Sequence, residues 1–342
     1  MADPLLSVVM SVYNAGDYLF QAIESILEQR FEDFEFIIVN DGSTDKSGAI
    51  LDHYRQLDKR IRILEQENKG LIASLNRGCQ AARGAYIARM DADDISLPNR
   101  FVQQIEFMRS RPEVGVLGTG VYLIDEAGNL LQIRDYPSKH FFIKWQLCFN
   151  HAIAHPTVMI KRELIEKIGG YDSKMLHVED YDLWRRLSRA SIMANLPDAL
   201  HLLRRHESCV SRVHCEQQAE TSIKISQLMI EEVLGHDVSR EVVKELWKKK
   251  FLNPQYTHAV SALIFSLFYK LTADNQLTLP EKRLIRKDAA ERLLNLARGQ
   301  SINEESLKVL RGSLRLDPLI IVRLLARRYY RRFRFFWLKR KF

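Results

Sequence analysis

The chain has 342 residues, 46% hydrophobic and 27% charged, which excludes wholesale disorder and fibrous repeats and suits about two domains. Its charge of +8 is local: the 26 residues from Asp317 onward hold nine basic side chains and one acid, while the other 316 carry 42 of each sign. Four cysteines without a CxxC exclude a disulfide framework, and the acidic start and the lack of a spanning apolar run lead us to expect a cytoplasmic protein without a transmembrane segment.

In chain order, dense apolar runs at Leu5–Val12, Phe34–Val39, Ile61–Leu64 and Ala85–Met90 read as strands. Helical spacing lies between them: Tyr18, Ala22 and Ile26, then Ile50, Tyr54 and Leu57, then Leu71 and Leu75. Unbroken apolar strands separated by amphipathic helices predict an α/β fold with a parallel sheet covered on both faces. In such sheets ligands bind in the loops after the carboxyl ends of the strands. Those loops are Tyr13-Asn14, Asn40 to Ser43, and Asp91 to Asp94.

The first loop offers Tyr13, an aromatic that can stack on a base or simply pack. The second offers Asp41 beside Gly42, a carboxylate suited to a base or ribose, with Ser43, Thr44 and Asp45 read as the cap of the next helix. The third places three acids at one strand end. Asp91 and Asp93 share a face if the strand persists, a pair that could hold a hard divalent cation, or alternatively a solvated turn before a helix near Pro98.

Beyond Pro112, Val114–Gly118 and Val121–Ile124 read as two strands, with a turn into Leu130–Ile133. Tyr181–Arg189 is an amphipathic helix preceded by Glu179, Asp180 and, in its first turn, Asp182. The helix dipole alone would favour acids there. From about Glu216 to Leu310 the pattern is helical, with Asn253–Tyr269 read either as a core helix or as one dipping into a membrane. His206, Cys209, His214 and Cys215 match no common zinc spacing. The tail from Arg327 interleaves arginines with aromatics, which suits an anionic membrane surface better than nucleic acid.

Several separated motifs together resemble one family, the family 2 glycosyltransferases. They are Ser7 to Asn14, Ile38 to Asp45, Asn68-Lys-Gly70 with Asn76-Arg-Gly78, Gly84 to Ile87, and Asp91 to Asp94. Later come His155-Pro-Thr157, Gly169 to Asp172, Glu179 to Trp184 and Leu203 to His206. The resemblance spans roughly residues 4–211. It implies a GT-A fold, a Rossmann-like mixed sheet, followed by a helical C-terminal region. The expected domains are 1–212, 213–316 and a membrane-associating tail, 317–342.

The resemblance further implies a nucleotide-diphospho-sugar donor, expected to be a UDP-sugar, with Mg²⁺ or Mn²⁺. By analogy Ser11, Tyr13, Asn14, Asp41, Asn68, Gly70 and Asp91 bind the donor nucleotide. Asp91 and Asp93 form the metal pair, with Asp93 the direct contact. Asp180 is the expected general base from the family's ED motif, with Glu179 beside it; Glu179 and Asp182 remain alternatives for that role. Ser11 stands where many members have proline. The absence of a Gln-x-x-Arg-Trp motif argues for transfer of a single sugar, with inversion, to a glycan or lipid-linked acceptor in surface polysaccharide synthesis. The expected location is the inner face of the membrane. The alternative is a catalytically inactive nucleotide-sugar-binding module, and a sugar nucleotidyltransferase is disfavoured because the first loop lacks a basic residue.

Overall fold

The computed structural model describes residues 3–206, 215–248, 253–273, 277–298 and 304–323. Strands β1 (Leu6–Val12), β2 (Phe34–Asp41), β3 (Ile61–Gln66) and β4 (Tyr86–Asp91) pair in parallel in the order β3-β2-β1-β4. Helices α1 (Leu19–Leu27), α2 (Ser47–Leu57) and α3 (Leu71–Ala81) connect them. Side chains alternate along a strand, so Val8, Met10, Phe36, Ile38 and Met90 share one core with Ile23 and Ile26 of α1. Phe101 and Ile105 of α4 (Arg100–Ser110) close that core. On the other face Val9 and Val39 lie against Gly78 of α3. Each fully buried aliphatic or aromatic side chain contributes about 1.5–3 kcal/mol, so both faces hold the sheet.

After β4 the sheet becomes mixed. Two-residue β5 (Ile95–Ser96) pairs antiparallel with β9 (Ile192–Arg204), which runs parallel to β6 (Val114–Ile124). Strand β7 (Leu130–Arg134) folds back on β6, and β8 (Met159–Lys161) is antiparallel to both β4 and β6. The two strands expected between residues 114 and 124 are one. A Cβ at Gly120 would stand 3.3 Å from the backbone of Ala199, so the glycine lets β9 run close alongside.

Helices α5 (His140–Leu147), α6 (Arg162–Ile168) and α7 (Glu179–Ala190) follow in chain order, then five more: α8 (Cys215–Leu234), α9 (Arg240–Trp247), α10 (Thr257–Thr272), α11 (Leu279–Arg298) and α12 (Glu304–Leu316). The chain divides into two compact units, Met1–His140 with Ala152–Gln218, and Phe141–His151 with Ala219–Phe342. Phe141–His151, expected in the first domain, thus groups with the helices. Asp288 of α11 accepts hydrogen bonds from Trp145 Nε1 at 2.6 Å and Gln146 Nε2 at 3.0 Å. Arg292 lies 3.7 Å from the centre of the Phe149 ring. In α10, Val260, Leu263, Ile264 and Leu267 are buried, as a core helix requires. Among the described residues no helix is long and apolar enough to cross a membrane. Most of the basic tail, residues 324–342, lies outside the described residues.

The amino ends of the central strands are pinned by buried Glu35. It accepts from Ser7 Oγ at 2.8 Å and Arg83 N at 2.8 Å, and pairs with Arg62 and Arg83. Burial works to raise its pKa, but these donors together hold it below the usual glutamate value. Gly84 N donates to the same Ser7 Oγ at 2.9 Å. A Cβ at Gly84 would sit 2.6 Å from Ser7 N and 2.7 Å from Leu6 C, backbone atoms that cannot rotate away. Gly84→Ala is therefore expected to destabilise the first unit by about 2 kcal/mol, read as a lower urea midpoint; an unchanged midpoint would contradict this packing.

Candidate active site

The loops after β1 and β2 are laced together. Asn14, in the left-handed region at φ 50°, donates from its N–H to Ser43 Oγ at 3.2 Å, and its Oδ1 accepts from Thr44 N at 2.8 Å. Of Ser43, Thr44 and Asp45, read together as the cap of the next helix, the first two join the two loops. Asp45, just before the N-cap Lys46, takes the first helical N–H: its Oδ1 accepts from Ser47 N at 2.9 Å and its Oδ2 from Gly16 N, also at 2.9 Å. Ser11 is half-buried at the end of β1, and Tyr13 is 51% exposed, its ring open to solvent.

Asp41 is only 2% exposed. Its carboxylate accepts from Gln66 Nε2 at 2.7 Å, Lys69 N at 2.8 Å and Gly70 N at 2.8 Å. It orders the loop carrying exposed Asn68 and Gly70, and Gly70 begins α3 with φ 85°. Gly42, at φ 72°, leaves room for Asn68 N, which a Cβ there would meet at 2.8 Å.

At the end of β4, Asp91, Asp93 and Asp94 bring carboxylate oxygens within 4.8 Å of one another. Each acid has a different partner. Asp91 is clamped by both terminal nitrogens of Arg89, two residues back on the same face of the strand. Asp93 Oδ2 lies 2.8 Å from His206 Nε2. Asp94 is buried, with Oδ2 2.9 Å from His201 Nε2 and Oδ1 accepting from Arg204 N at 2.8 Å. Arg204 also donates to the Asp93 carbonyl at 2.9 Å and lies 4.7 Å from the centre of the Tyr18 ring.

Crowding of these acids sets their ionisation. Burial, opposed by Arg89 and reinforced by Asp93 and Asp180, raises Asp91 to about 6. Burial and the charges of Asp93 and Asp91 push Asp94 well up as well. His201 is driven well below 6.5 by burial, then by Arg100 and Arg89. His206 is raised, chiefly by its hydrogen bond to Asp93. A site with three converging hard oxygen donors suits Mg²⁺ or Mn²⁺. Among the described residues this triad is the group of acids, histidines and cysteines that could hold an ion.

The start of α7 faces the same field. Glu179 is 7% exposed and raised to about 7, first by burial and then by Asp180. Arg89 and Asp91 both act on it. Asp180 is partly exposed, and its Oδ1 accepts from Tyr181 N at 2.7 Å. Asp182 differs: its oxygens accept from Arg185 at 2.9 Å and Arg186 at 2.7 Å, so it braces its own helix. Sequence reasoning assigned no site role to Arg89, His201, Arg204 or His206. The last two stand in the quoted run Leu203 to His206, but Arg89 is hidden inside an apolar strand.

A family model described as Glycosyl transferase family 2 matches residues 7–169. The uncharacterized glycosyltransferase MJ1057 of Methanocaldococcus jannaschii is 42% identical over 54% of this chain, a match that spans 65% of that relative, just under two thirds. The O-antigen biosynthesis glycosyltransferase WbnJ of Escherichia coli is 39% identical over 54% of this chain and 71% of its own length. Among solved structures, S. aureus TarS 1–349 in complex with UDP-GlcNAc has a TM-score of 0.55 and 18% identity, covering 90% of each chain. The mannosyltransferase PcManGT from Pyrobaculum calidifontis, in complex with GDP-Man and Mn²⁺, has a TM-score of 0.53 and 14% identity, covering 92% of this chain and 86% of that one. The mixed sheet described above is thus a GT-A fold, and the chain belongs to glycosyltransferase family 2.

Proposed function

We propose that this chain moves one sugar from a nucleotide-diphospho-sugar to a hydroxyl of a glycan or lipid-linked acceptor, with inversion, in the assembly of a surface polysaccharide. One observation carries the reading: Asp91, Asp93 and Asp94 converge at the end of β4 with carboxylate oxygens within 4.8 Å of one another, and the charge of Asp180 on α7 acts on Asp91 there. The biosynthetic role is supported by the name of the O-antigen relative. Neighbours of this fold bind UDP-GlcNAc and GDP-Man, so the fold itself does not select the base.

The donor-side residues are Ser11, Tyr13 and Asn14 for the base, with the loop that Asp41 orders through Lys69 and Gly70. Of the pair Asp91 and Asp93, Asp93 would be the direct contact for Mg²⁺ or Mn²⁺, as the Mn²⁺ in the mannosyltransferase neighbour supports. When bound, the ion would offset the charge developing on the departing diphosphate. On the other side Asp180 takes the proton of the acceptor hydroxyl as its oxygen bonds to the anomeric carbon, and the bond from that carbon to the diphosphate breaks. Asp182 is held by two arginines of its helix, which leaves Asp180 and Glu179 for this role.

Asp93→Asn is expected to weaken Mn²⁺-dependent donor binding by more than about tenfold across a panel of UDP-, GDP- and dTDP-sugars, read by calorimetry. Unchanged affinity for every donor that binds the parent would remove Asp93 from the metal site.

Asp180→Asn is expected to keep donor affinity while transfer falls by about 10²–10⁴-fold. Glu179→Gln makes a separate prediction about pH. Folded Glu179 holds its proton to about 7, whereas the unfolded chain loses it near 4.5, so rising pH through that window costs stability. The Gln variant escapes this cost: its melting temperature should match the parent at acid pH and exceed it above neutrality. A dead Glu179→Gln with an active Asp180→Asn would exchange the two roles.

The sequence also supports a peripheral position on an anionic membrane. Ile320 is buried and Arg323 pairs with Asp317, so the cut belongs after Arg323. Removing residues 324–342 takes away eight of the nine cations, each worth about 1 kcal/mol at an anionic surface. Co-sedimentation with anionic vesicles should then be lost, and for the full chain it should weaken with salt as the Debye length shortens. Equal sedimentation of both forms would show that the tail is not the anchor.

A further inference from the structure

We propose that Arg89 is a positioning residue: it occupies both carboxylate oxygens of Asp91 and so leaves Asp93 as the acid open to the divalent cation. The inference rests on the metal reading given above and adds to it the residue that decides which acid meets the ion.

Arg89 is 6% exposed, and its two terminal nitrogens both engage Asp91. Its surroundings are largely apolar, with Val9, Leu75, Ile87, Ile160 and Tyr171 lining a small cavity that its side chain borders. Its Nε is buried without a hydrogen-bond partner. A guanidinium buried there, with one nitrogen unsatisfied, is costly, and a well-packed apolar residue would serve the fold at least as well. What the apolar residue could not supply is a planar two-pronged grip on one carboxylate.

The partners of the other acids complete the selection. Asp94 is turned inward by His201 and the Arg204 N–H. Asp93 meets His206 through Oδ2, and among the described residues its Oδ1 has no hydrogen-bond partner. Asp91 and Arg89 together are neutral. The site therefore shows a cation one carboxylate with an open oxygen rather than three of equal claim.

Three variants test this, with binding of Mn²⁺ alone read from loss of the free-ion signal in electron paramagnetic resonance at about pH 8, where carboxylates are ionised. Arg89→Met keeps an apolar stem and removes the charge; the Asp91 side chain is 32% exposed, so water can take over its solvation. Freed Asp91 should then bind the ion, and affinity should tighten by roughly tenfold, a change opposite in sign to that of a damaged site. Arg89→Met combined with Asp91→Asn removes a neutral pair and should return affinity to within about threefold of the parent. Arg89→Lys, a point charge that cannot grip both oxygens, should tighten binding in the same direction but less, which keeps the test open should the Met variant not fold.

Unchanged or weaker Mn²⁺ binding in the folded Arg89 variants would overturn the assignment, as would loss of binding in the double variant, which would make Asp91 the direct ligand. A parent chain that leaves the free-ion signal untouched would overturn the metal reading itself, and the Arg89 assignment with it. A parent that binds while its variants break the pattern overturns only the role of Arg89.

Discussion

Like charges repel most where water is thin, and Asp91, Asp93, Asp94, Glu179 and Asp180 meet in such a place. The cost is visible in Asp91 and Glu179, which hold protons to about 6 and about 7, and in Asp94, which is pushed well up. Much of the mixed half of the sheet is arranged around that repulsion. Strand β9 runs beside β6 and pairs with the short β5 directly after the acidic loop. This return brings His201 and Arg204 to Asp94 and the Asp93 carbonyl, and His206 to Asp93. Arg89 supplies the fixed charge from the strand itself. The topology thus brings residues more than a hundred positions apart together at one strand end.

The parallel half of the sheet was legible because its signals are local. An apolar run followed by helical spacing needs no knowledge of the rest of the chain, so β1 to β4 and α1 to α3 stand where the pattern put them. The acidic triplet was legible for the same reason. The antiparallel pairings of β8 and β5 were not, because each depends on which distant strand arrives beside it, whereas β7 returns to β6 through a turn the local sequence shows. Residues 114–124 divided on paper at Thr119-Gly120, where the glycine is a weak strand former taken alone, yet β9 presses against Gly120 and the strand continues through it. Arg89 lay unread in the run Ala85–Met90, since one cation among apolar neighbours looks like an interruption until its partner two residues on is seen. Asp41 was read as a ligand contact, and nothing in its spacing showed the three hydrogen bonds by which it ties down the loop beside it. Nothing in the spacing of Asn14, Ser43 and Asp45 could show that these polar groups lace two loops together.

Sugar transfer needs its two reacting atoms held about 3–3.5 Å apart and aligned, which loops acting separately would not achieve. The two sides of this site are joined by a continuous polar and aromatic ladder. On the donor side, α3 starts at Gly70, whose N–H is held by Asp41. Two turns along, Asn76 exchanges a pair of hydrogen bonds with the backbone of Tyr171, at 2.8 and 2.9 Å. Gly170 permits this approach, because a Cβ there would lie 2.5 Å from Asn76 Oδ1. The Tyr171 hydroxyl lies 2.8 Å from His155 Nε2, and the His155 ring meets Trp184 of α7 nearly edge-on at 5.9 Å.

Trp184 is fully buried one turn beyond Asp180, so the ladder ends at the helix that presents the proposed base. Most of its rungs are buried, and a rung cannot move without leaving a polar group unsatisfied or a ring unpacked. The donor loop and the start of α7 are therefore set by one packed network rather than by two independent loops. That explains why motifs as plain as Asn76-Arg-Gly78, Gly169 to Asp172 and His155-Pro-Thr157 accompany the acids along the chain. In the proposed reaction they contribute no reacting group, yet they tie the loop that Asp41 orders to the helix that carries Asp180.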